Sequence, residues 1–409
     1  MREIAEELSD IASHGLLREP HHLETGQGRR VKMGGHPVLN FSSNDYLGLS
    51  GHPRIRAAAS KAALEFGGGA GASRLICGGL PPHQQLEEAA SRFLGTTAAL
   101  SFANGYSAAV GTLSAFLQKG DVVILDKLCH ACLIDGARLS GATIRVFPHN
   151  RVDRLRELVS WAVSKIDPQK GRVLVVTESI FSMDGDRAKL AEIVEITKAA
   201  GVLLLLDEAH ALGVLGRDGG GLAEEQGVAD SIDLRMATMG KAAGAAGGIV
   251  AGSKEAISLL WNRARSFIYS TAPPPAQAAA ATEALALIAS SEGAALRTRL
   301  TDQIEQFHDA FDRAASAPDA VRKTGQFDLS PIIPVLVGDE RQAVETSRKL
   351  LAAGILCPAV RYPTVPRGTA RLRITLSAAH EAADIETLVA NLHGALPKDV
   401  PHQPEMAAQ

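Results

Sequence analysis

Four short runs limit what this chain can fold into more than any other feature. "DVVILD" (121–126), "RVLVVTES" (172–179), "GVLLLLDEAH" (201–210) and "GGIVAGS" (247–253) are apolar at nearly every position and rich in Val, Ile and Leu. A strand with one wet face alternates. A run that is apolar throughout has both faces covered, as in a parallel sheet held between helix layers. Helical patterns lie between the runs. In "QQLEEAASRFLG" (84–95), Leu86, Ala90, Phe93 and Leu94 share one face, and Gly95 supplies a C-cap. The expected fold class is α/β.

After "STAPPPAQ" (270–277) the composition shifts to a long Ala-rich helical region with a break near Gly293. A strand "SPIIPVLVG" (330–338), a helix (340–354), a strand "RLRITL" (371–376) and a last helix from about Ala382 to Leu396 follow. That order suits a smaller α+β domain. The expected division is a helical or extended segment over 1–45, a large domain over 46–275, a small C-terminal domain over 276–397, and a polar, flexible tail over 398–409.

A net charge of -3 and an aromatic content of 4% provide neither a basic surface nor a stacking platform for nucleic acid. The N-terminus "MREIAEELSDIASHGLL" lacks the apolar core of a signal peptide, and no apolar run approaches the ~18 residues of a membrane span. A cytoplasmic enzyme with no nucleic-acid or membrane partner is expected. Cys77, Cys129, Cys132 and Cys357 are too few and too scattered for a disulfide framework. "CHAC" (129–132) looks like half of a zinc site, but no second Cys or His pair has matching spacing, so no metal is expected.

Three features carry chemistry. Asp207 directly follows Val202 to Leu206, apolar without exception, so its carboxylate sits where a strand should end; a structural cap and a catalytic acid both answer to that description. His210 lies three residues on. Lys241 stands among Gly and Ala in "MATMGKAAGAAGG" (236–248), with room around it for a bound group. The P-loop pattern is absent, which leaves a Schiff-base lysine. Lysine, carboxylate and a helix N-terminus at Gly105 and Tyr106 in "SFANGYSAAVGTLSAFL" (101–117) are what pyridoxal 5'-phosphate needs for its aldehyde, ring nitrogen and phosphate.

Seven motifs in order, from about Asn40 to Leu396, give the chain a family resemblance. They are "NFSSNDYLGLS" (40–50), "CHACLIDGARLSGA" (129–142), "TESIFSMDGD" (177–186), "LDEAHALGVLG" (206–216), "TMGK" (238–241), "SFIYSTAPPPAQ" (266–277) and "PTVPRGTARLRITLSAAH" (363–380). The chain resembles the α-oxoamine synthase family of fold-type I pyridoxal-phosphate enzymes. The resemblance implies a transferase that condenses an amino acid with an acyl thioester and releases CO2. The wording of the motifs is most similar to the branch that joins L-alanine to a pimeloyl group carried on coenzyme A or an acyl-carrier protein. "ASRLICGG" (72–79) is equally similar to the branch that joins glycine to acetyl-CoA.

The resemblance also implies roles. Lys241 holds the cofactor and removes the amino acid's Cα proton. Asp207 pairs with the ring nitrogen, while His210 and Ser182 lie at the phenolic oxygen. His130 stacks on the ring, and Cys129 and Cys132 are small buried neighbours. Thr238 binds the phosphate, and Thr271 reaches the phosphate of a neighbouring subunit, which implies a homodimer with shared sites. Arg373 grips the substrate carboxylate, with Asn44 near the acyl substrate. Arg74 belongs to the acyl pocket, where it departs from the smaller or neutral residues of some relatives. Arg371, on the same strand face as Arg373, reads as a solvated surface side chain.

Overall fold

The structure is a computed structural model and describes residues 3–18, 20–167, 169–315 and 329–397. The tail expected over 398–409 lies outside the described residues. The four apolar runs form the strands Val122–Asp126, Val173–Glu178, Leu203–Asp207 and Gly248–Gly252, buried along almost their whole length. With Ala98–Phe102, Thr143–Phe147 and Leu234–Thr238 they make one seven-stranded sheet. Its order is 98–102, 248–252, 234–238, 203–207, 173–178, 122–126, 143–147.

The five strands from 234–238 to 143–147 are parallel neighbours. Gly248–Gly252 departs from the parallel arrangement that its apolar run suggests: it is antiparallel to both neighbours, 98–102 and 234–238. The connection over 239–247 is shorter than the dozen or so residues a parallel crossover requires, so the chain turns straight back. Elsewhere the helices Gly105–Phe116, Ala131–Ser140, Val152–Val163 and Leu190–Ala200 join strand to strand. Two of them approach closely at Gly136, where a Cβ would come within 2.9 Å of Leu113 Cδ1 and 3.1 Å of the Ala109 carbonyl oxygen.

From Val122–Asp126 the chain goes outward to the edge strand 143–147 and then back past it to 173–178. The strand order therefore reverses between 122–126 and 173–178. Ligands of open α/β sheets bind beyond the carboxyl ends of the strands, at such a reversal.

The chain divides into two units. The larger comprises Leu49–Ser182 and Asp186–Thr298, so the helix Pro275–Ile288 belongs to the unit of the seven-stranded sheet, where it packs on the helices Pro53–Phe66 and Pro81–Phe93. The break expected near Gly293 falls at Ala289 and Ser290, and a helix then runs over Ser291–Ala315. Gly293 is needed just inside it, because a Cβ there would come within 2.3 Å of the Ile288 carbonyl oxygen. The smaller unit comprises Met1–Gly48, Met183–Gly185 and Arg299–Gln409. It contains the antiparallel strands Ile332–Gly338, Ala370–Thr375 and Ala359–Val360. A second small sheet pairs His36–Asn40 with Arg30–Met33 and Ile355–Leu356. Among the described residues no helix is long and apolar enough to cross a membrane.

Candidate active site

Two carboxylates end adjacent strands of the large sheet, for Glu178 and Asp207 are register partners. Both are buried, at 2% and 4% exposure. Asp207 accepts a hydrogen bond from the Ala209 N–H at 2.9 Å. Burial pushes its carboxyl up to about 6, against the pull of the Lys241 charge. Burial, and then the neighbouring Asp207, raise Glu178 well above the usual carboxylate range. An acid held in this way is primed to pair with a cation brought against it.

Lys241 lies in the connection between the antiparallel strands 234–238 and 248–252. Its Nζ is 2.7 Å from His210 Nε2. With Lys241 as an ammonium, which can only donate, Nε2 is the acceptor of the pair and the imidazole proton would sit on Nδ1. The small residues around Lys241 have a different cause from the open space that the sequence suggests. Ala242 and Ala243 are buried, and a Cβ on Gly244 would strike the backbone nitrogen of Ser50 at 2.3 Å. The segment Leu49–Ser50 lies directly on the turn, and the absence of side chains permits that approach.

His130 is the N-cap of helix Ala131–Ser140. Its backbone N–H donates to Glu178 Oε1. Its ring Nδ1 accepts from the Cys132 N–H at 3.2 Å and lies 2.9 Å from Cys132 Sγ. Desolvation of the ring, and then the Lys241 charge, lower its pKa. Cys129 and Cys132 are both buried. The Cys129 thiol donates to the Val176 carbonyl at 3.5 Å.

Helix Gly105–Phe116 starts beside Thr238, the last residue of its strand. The Asn104 side chain caps it, accepting from the Ser107 N–H at 2.8 Å. A Cβ on Gly105 would sit 3.4 Å from Thr238 Cβ and 3.6 Å from its Oγ1. The Gly240 N–H donates to that same hydroxyl at 3.3 Å. The hydroxyl in turn donates to the Gly247 carbonyl at 3.0 Å, and it stands beside the N-terminus of the helix, an end that attracts anions. The Tyr106 side chain is half exposed, its hydroxyl donating to Asp135 Oδ2 at 2.7 Å.

Ser182 is half-buried on the turn after Phe181. Thr271 is exposed and bridges to Ser73. Arg74, expected at the acyl pocket, is taken up by close neighbours. Its guanidinium forks onto Glu87 at 2.8 and 3.0 Å, donates to Ser101 at 3.1 Å, and lies 5.4 Å from the Trp261 ring centre. With its side chain 5% exposed, these partners occupy it.

Within the smaller unit, Arg373 Nη1 donates to Asn44 Oδ1 at 3.1 Å and Nη2 to the Tyr46 hydroxyl at 3.4 Å. Tyr46 is fully buried and in turn donates to Asn44 Oδ1 at 3.0 Å. Arg371 is not the surface side chain it was expected to be. It is 4% exposed and donates to Asp184 Oδ1 at 2.6 Å. The turn at Met183–Asp184 and the Thr369 carbonyl enclose it, for Nη1 also reaches the Met183 carbonyl at 3.4 Å and Nε donates to the Thr369 carbonyl at 3.1 Å.

Sequence reasoning passed over Glu178, Asn104 and Tyr46, and gave Cys132 no more than a buried place beside His130. Glu178 ends an apolar run just as Asp207 does, and Asn104 stands where a helix cap belongs, so both signals were present. The large unit's set of amine, buried carboxylate and anion cradle fits pyridoxal phosphate by donor chemistry: aldehyde to Lys241, ring nitrogen to Asp207, phosphate to Gly105 and Thr238.

Residues 36–392 match the family model described as aminotransferase class I and II. The chain is 45% identical over 389 residues to the 8-amino-7-oxononanoate synthase of Geobacter sulfurreducens, covering 95% of this chain and 96% of that one. A solved serine palmitoyltransferase from S. paucimobilis with bound PLP–myriocin superposes with a TM-score of 0.87 at 29% identity, over 96% of each chain. The solved 8-amino-7-oxononanoate synthase of Francisella tularensis gives 0.73 at 26%, over 87% of this chain and 97% of that one.

Proposed function

Because the chain belongs to the aminotransferase class I and II family, within its α-oxoamine synthase branch, we propose that it is an 8-amino-7-oxononanoate synthase that uses pyridoxal 5'-phosphate. The reaction joins the Cα of L-alanine to the carbonyl carbon of pimeloyl-CoA, or of pimeloyl on an acyl-carrier protein. The thiol leaves, the alanine carboxylate departs as CO2, a proton takes its place on Cα, and the product enters biotin synthesis. The observation that carries this reading is the meeting of Lys241, His210 and buried Asp207 in a chain that follows synthases of that name along nearly its whole length.

When bound, pyridoxal phosphate supplies a sink for the electrons released at Cα. The protein's own groups do the rest. Lys241 Nζ would hold the cofactor's aldehyde carbon and then take the Cα proton, with His210 Nε2 orienting the amine. Asp207 would keep a proton on the ring nitrogen, because a buried carboxylate gains most from an adjacent cation. Gly105, Tyr106 and Thr238 would bind the phosphate with backbone donors and a hydroxyl. His210 and Ser182 are assigned to the phenolic oxygen and His130 to the ring face. Arg373, held by Asn44 and Tyr46, would grip the alanine carboxylate and so align the bond to be broken.

A homodimer sharing sites through Thr271 is part of the reading. Its support is the exposed Ile76 and Tyr269, at 80% and 72%, close in sequence to the Ser73–Thr271 bridge. We assign the enzyme to the cytoplasm, where its thioester substrates are made. Mass spectrometry of products from L-alanine or glycine against a panel of acyl-CoAs tests the function. The expected product forms only with L-alanine and the pimeloyl thioester. Turnover confined to glycine and acetyl-CoA would replace this reading with that of the ligase branch.

A further inference from the structure

His130 has two ring nitrogens, and its surroundings decide which of them carries hydrogen. A backbone N–H can only donate. The Cys132 N–H points at Nδ1 from 3.2 Å, so Nδ1 must offer a lone pair. Cys132 Sγ lies 2.9 Å from the same nitrogen. Burial raises that thiol's pKa, so it keeps its proton and is a second donor to Nδ1. On the other side of the residue, Glu178 accepts the His130 backbone N–H and fixes the start of the helix.

The geometry points to Cys132 as a positioning residue that holds His130 neutral, in the tautomer with hydrogen on Nε2. The ring then presents one donor, Nε2–H, to whatever binds beside it. A neutral donor suits an anionic oxygen such as an amino-acid carboxylate, and it leaves the adjacent Lys241 amine without a second cation. The charged groups facing the ring are Lys241, which disfavours its protonation, Asp135, which favours it, and Glu178 at its backbone. A helix cap alone would need only an oxygen acceptor, and Asn would supply that. The sulfur contact exceeds what capping requires.

The role of His130 rests on the proposed function, but the tautomer does not. The test is long-range proton–nitrogen NMR of histidine-labelled holoenzyme at pH 7.5, with His130→Asn identifying the resonances. The expected pattern is a neutral ring with an unprotonated Nδ1 and a hydrogen on Nε2. Cys132→Ala should shift the Nδ1 resonance and raise the alanine KM about fivefold, the effect of one neutral hydrogen bond, with kcat little changed. Cys132→Ser, which restores a donor, should rescue both. An imidazolium, a hydrogen on Nδ1, or Cys132→Ala matching the parent in spectrum and KM would overturn the inference. If the tautomer is as expected but alanine and pimeloyl-CoA are not turned over, the functional reading falls and the positioning stands.

Discussion

His149 offers the most quantitative test of how this site is supported. It bridges two carboxylates, with Nδ1 2.9 Å from Asp126 Oδ1 and Nε2 2.6 Å from Asp186 Oδ2. Asp126 ends its strand and accepts from the Leu128 N–H at 2.8 Å, shaping the turn that leads to His130. Asp186 closes the turn that carries Ser182, its carbonyl accepting from the Phe181 N–H at 3.0 Å. One ring therefore fastens two loops of the proposed site. Burial opposes its charge, but the hydrogen bonds to Asp126 and Asp186 prevail and raise its pKa to about 10.

A folded pKa raised from 6.5 to about 10 means that the folded state binds the proton more tightly. The stabilisation is complete below pH 6.5 and is lost as pH rises through 10. At ~1.4 kcal/mol per unit the shift corresponds to at most ~5 kcal/mol. With the side chain about a fifth exposed, ~3–4 kcal/mol is the working figure, in line with breaking a buried ion pair. The perturbation is His149→Gln, which keeps a polar group and removes the titration. The assay is denaturant unfolding of both proteins from pH 6 to pH 10. Their difference in stability should be largest near pH 6 and should shrink by ~1 kcal/mol per unit above pH 7. Taking the difference cancels the lysines, tyrosines and thiols that titrate in the same window. A difference that stays flat from pH 7 to 9.5 would refute the bridging imidazolium.

Asp207→Asn should raise the stability of cofactor-free protein by ~1–3 kcal/mol at pH 8 and by nothing at pH 4, because the cost of charging a carboxyl raised to about 6 appears only as pH climbs from 4 to 6. The same variant should lose pyridoxal phosphate on dialysis, and retention equal to the parent's would count against the ring-nitrogen role. Arg74→Ala should cost ~3–5 kcal/mol by stranding Glu87, measured by unfolding, with both substrates' KM values within about twofold of the parent's. Arg373→Lys should raise the alanine KM at least ~10-fold, because an ammonium cannot fork onto a carboxylate. An unchanged KM would remove Arg373 from substrate binding.

The large sheet was legible because burial on both faces leaves its mark in composition: an unbroken apolar run has few alternatives. Strand direction was not, since "GGIVAGS" looks the same whichever way it pairs, and only the short connection from Thr238 settles it. Asp207 and Lys241 stood out because a charge amid apolar or small residues is conspicuous. The two arginines show the limit of such reading. Arg371 and Arg373 share a face and a period, but one is spent on Asp184 and the other rests against Asn44 and Tyr46. Their partners are brought to them from distant parts of the chain, and no local pattern records that. The partners of Arg74 were hidden for the same reason, since Glu87 and Trp261 meet it only after folding.

The place of Gly248–Gly252 in the sheet also determines when the protein can become competent. That strand lies between Ala98–Phe102 and Leu234–Thr238, and the turn at Asn104–Gly105 meets Thr238 across it. As the chain leaves the ribosome, residues 98–116 wait for about 130 more before the strand that joins them to the rest of the sheet is made. Until then Ala98–Phe102 is an apolar edge with no neighbour, the kind of surface on which nascent chains aggregate. The proposed anion cradle is complete only once this strand is in place, so a cofactor phosphate held there would stabilise the finished sheet by mass action.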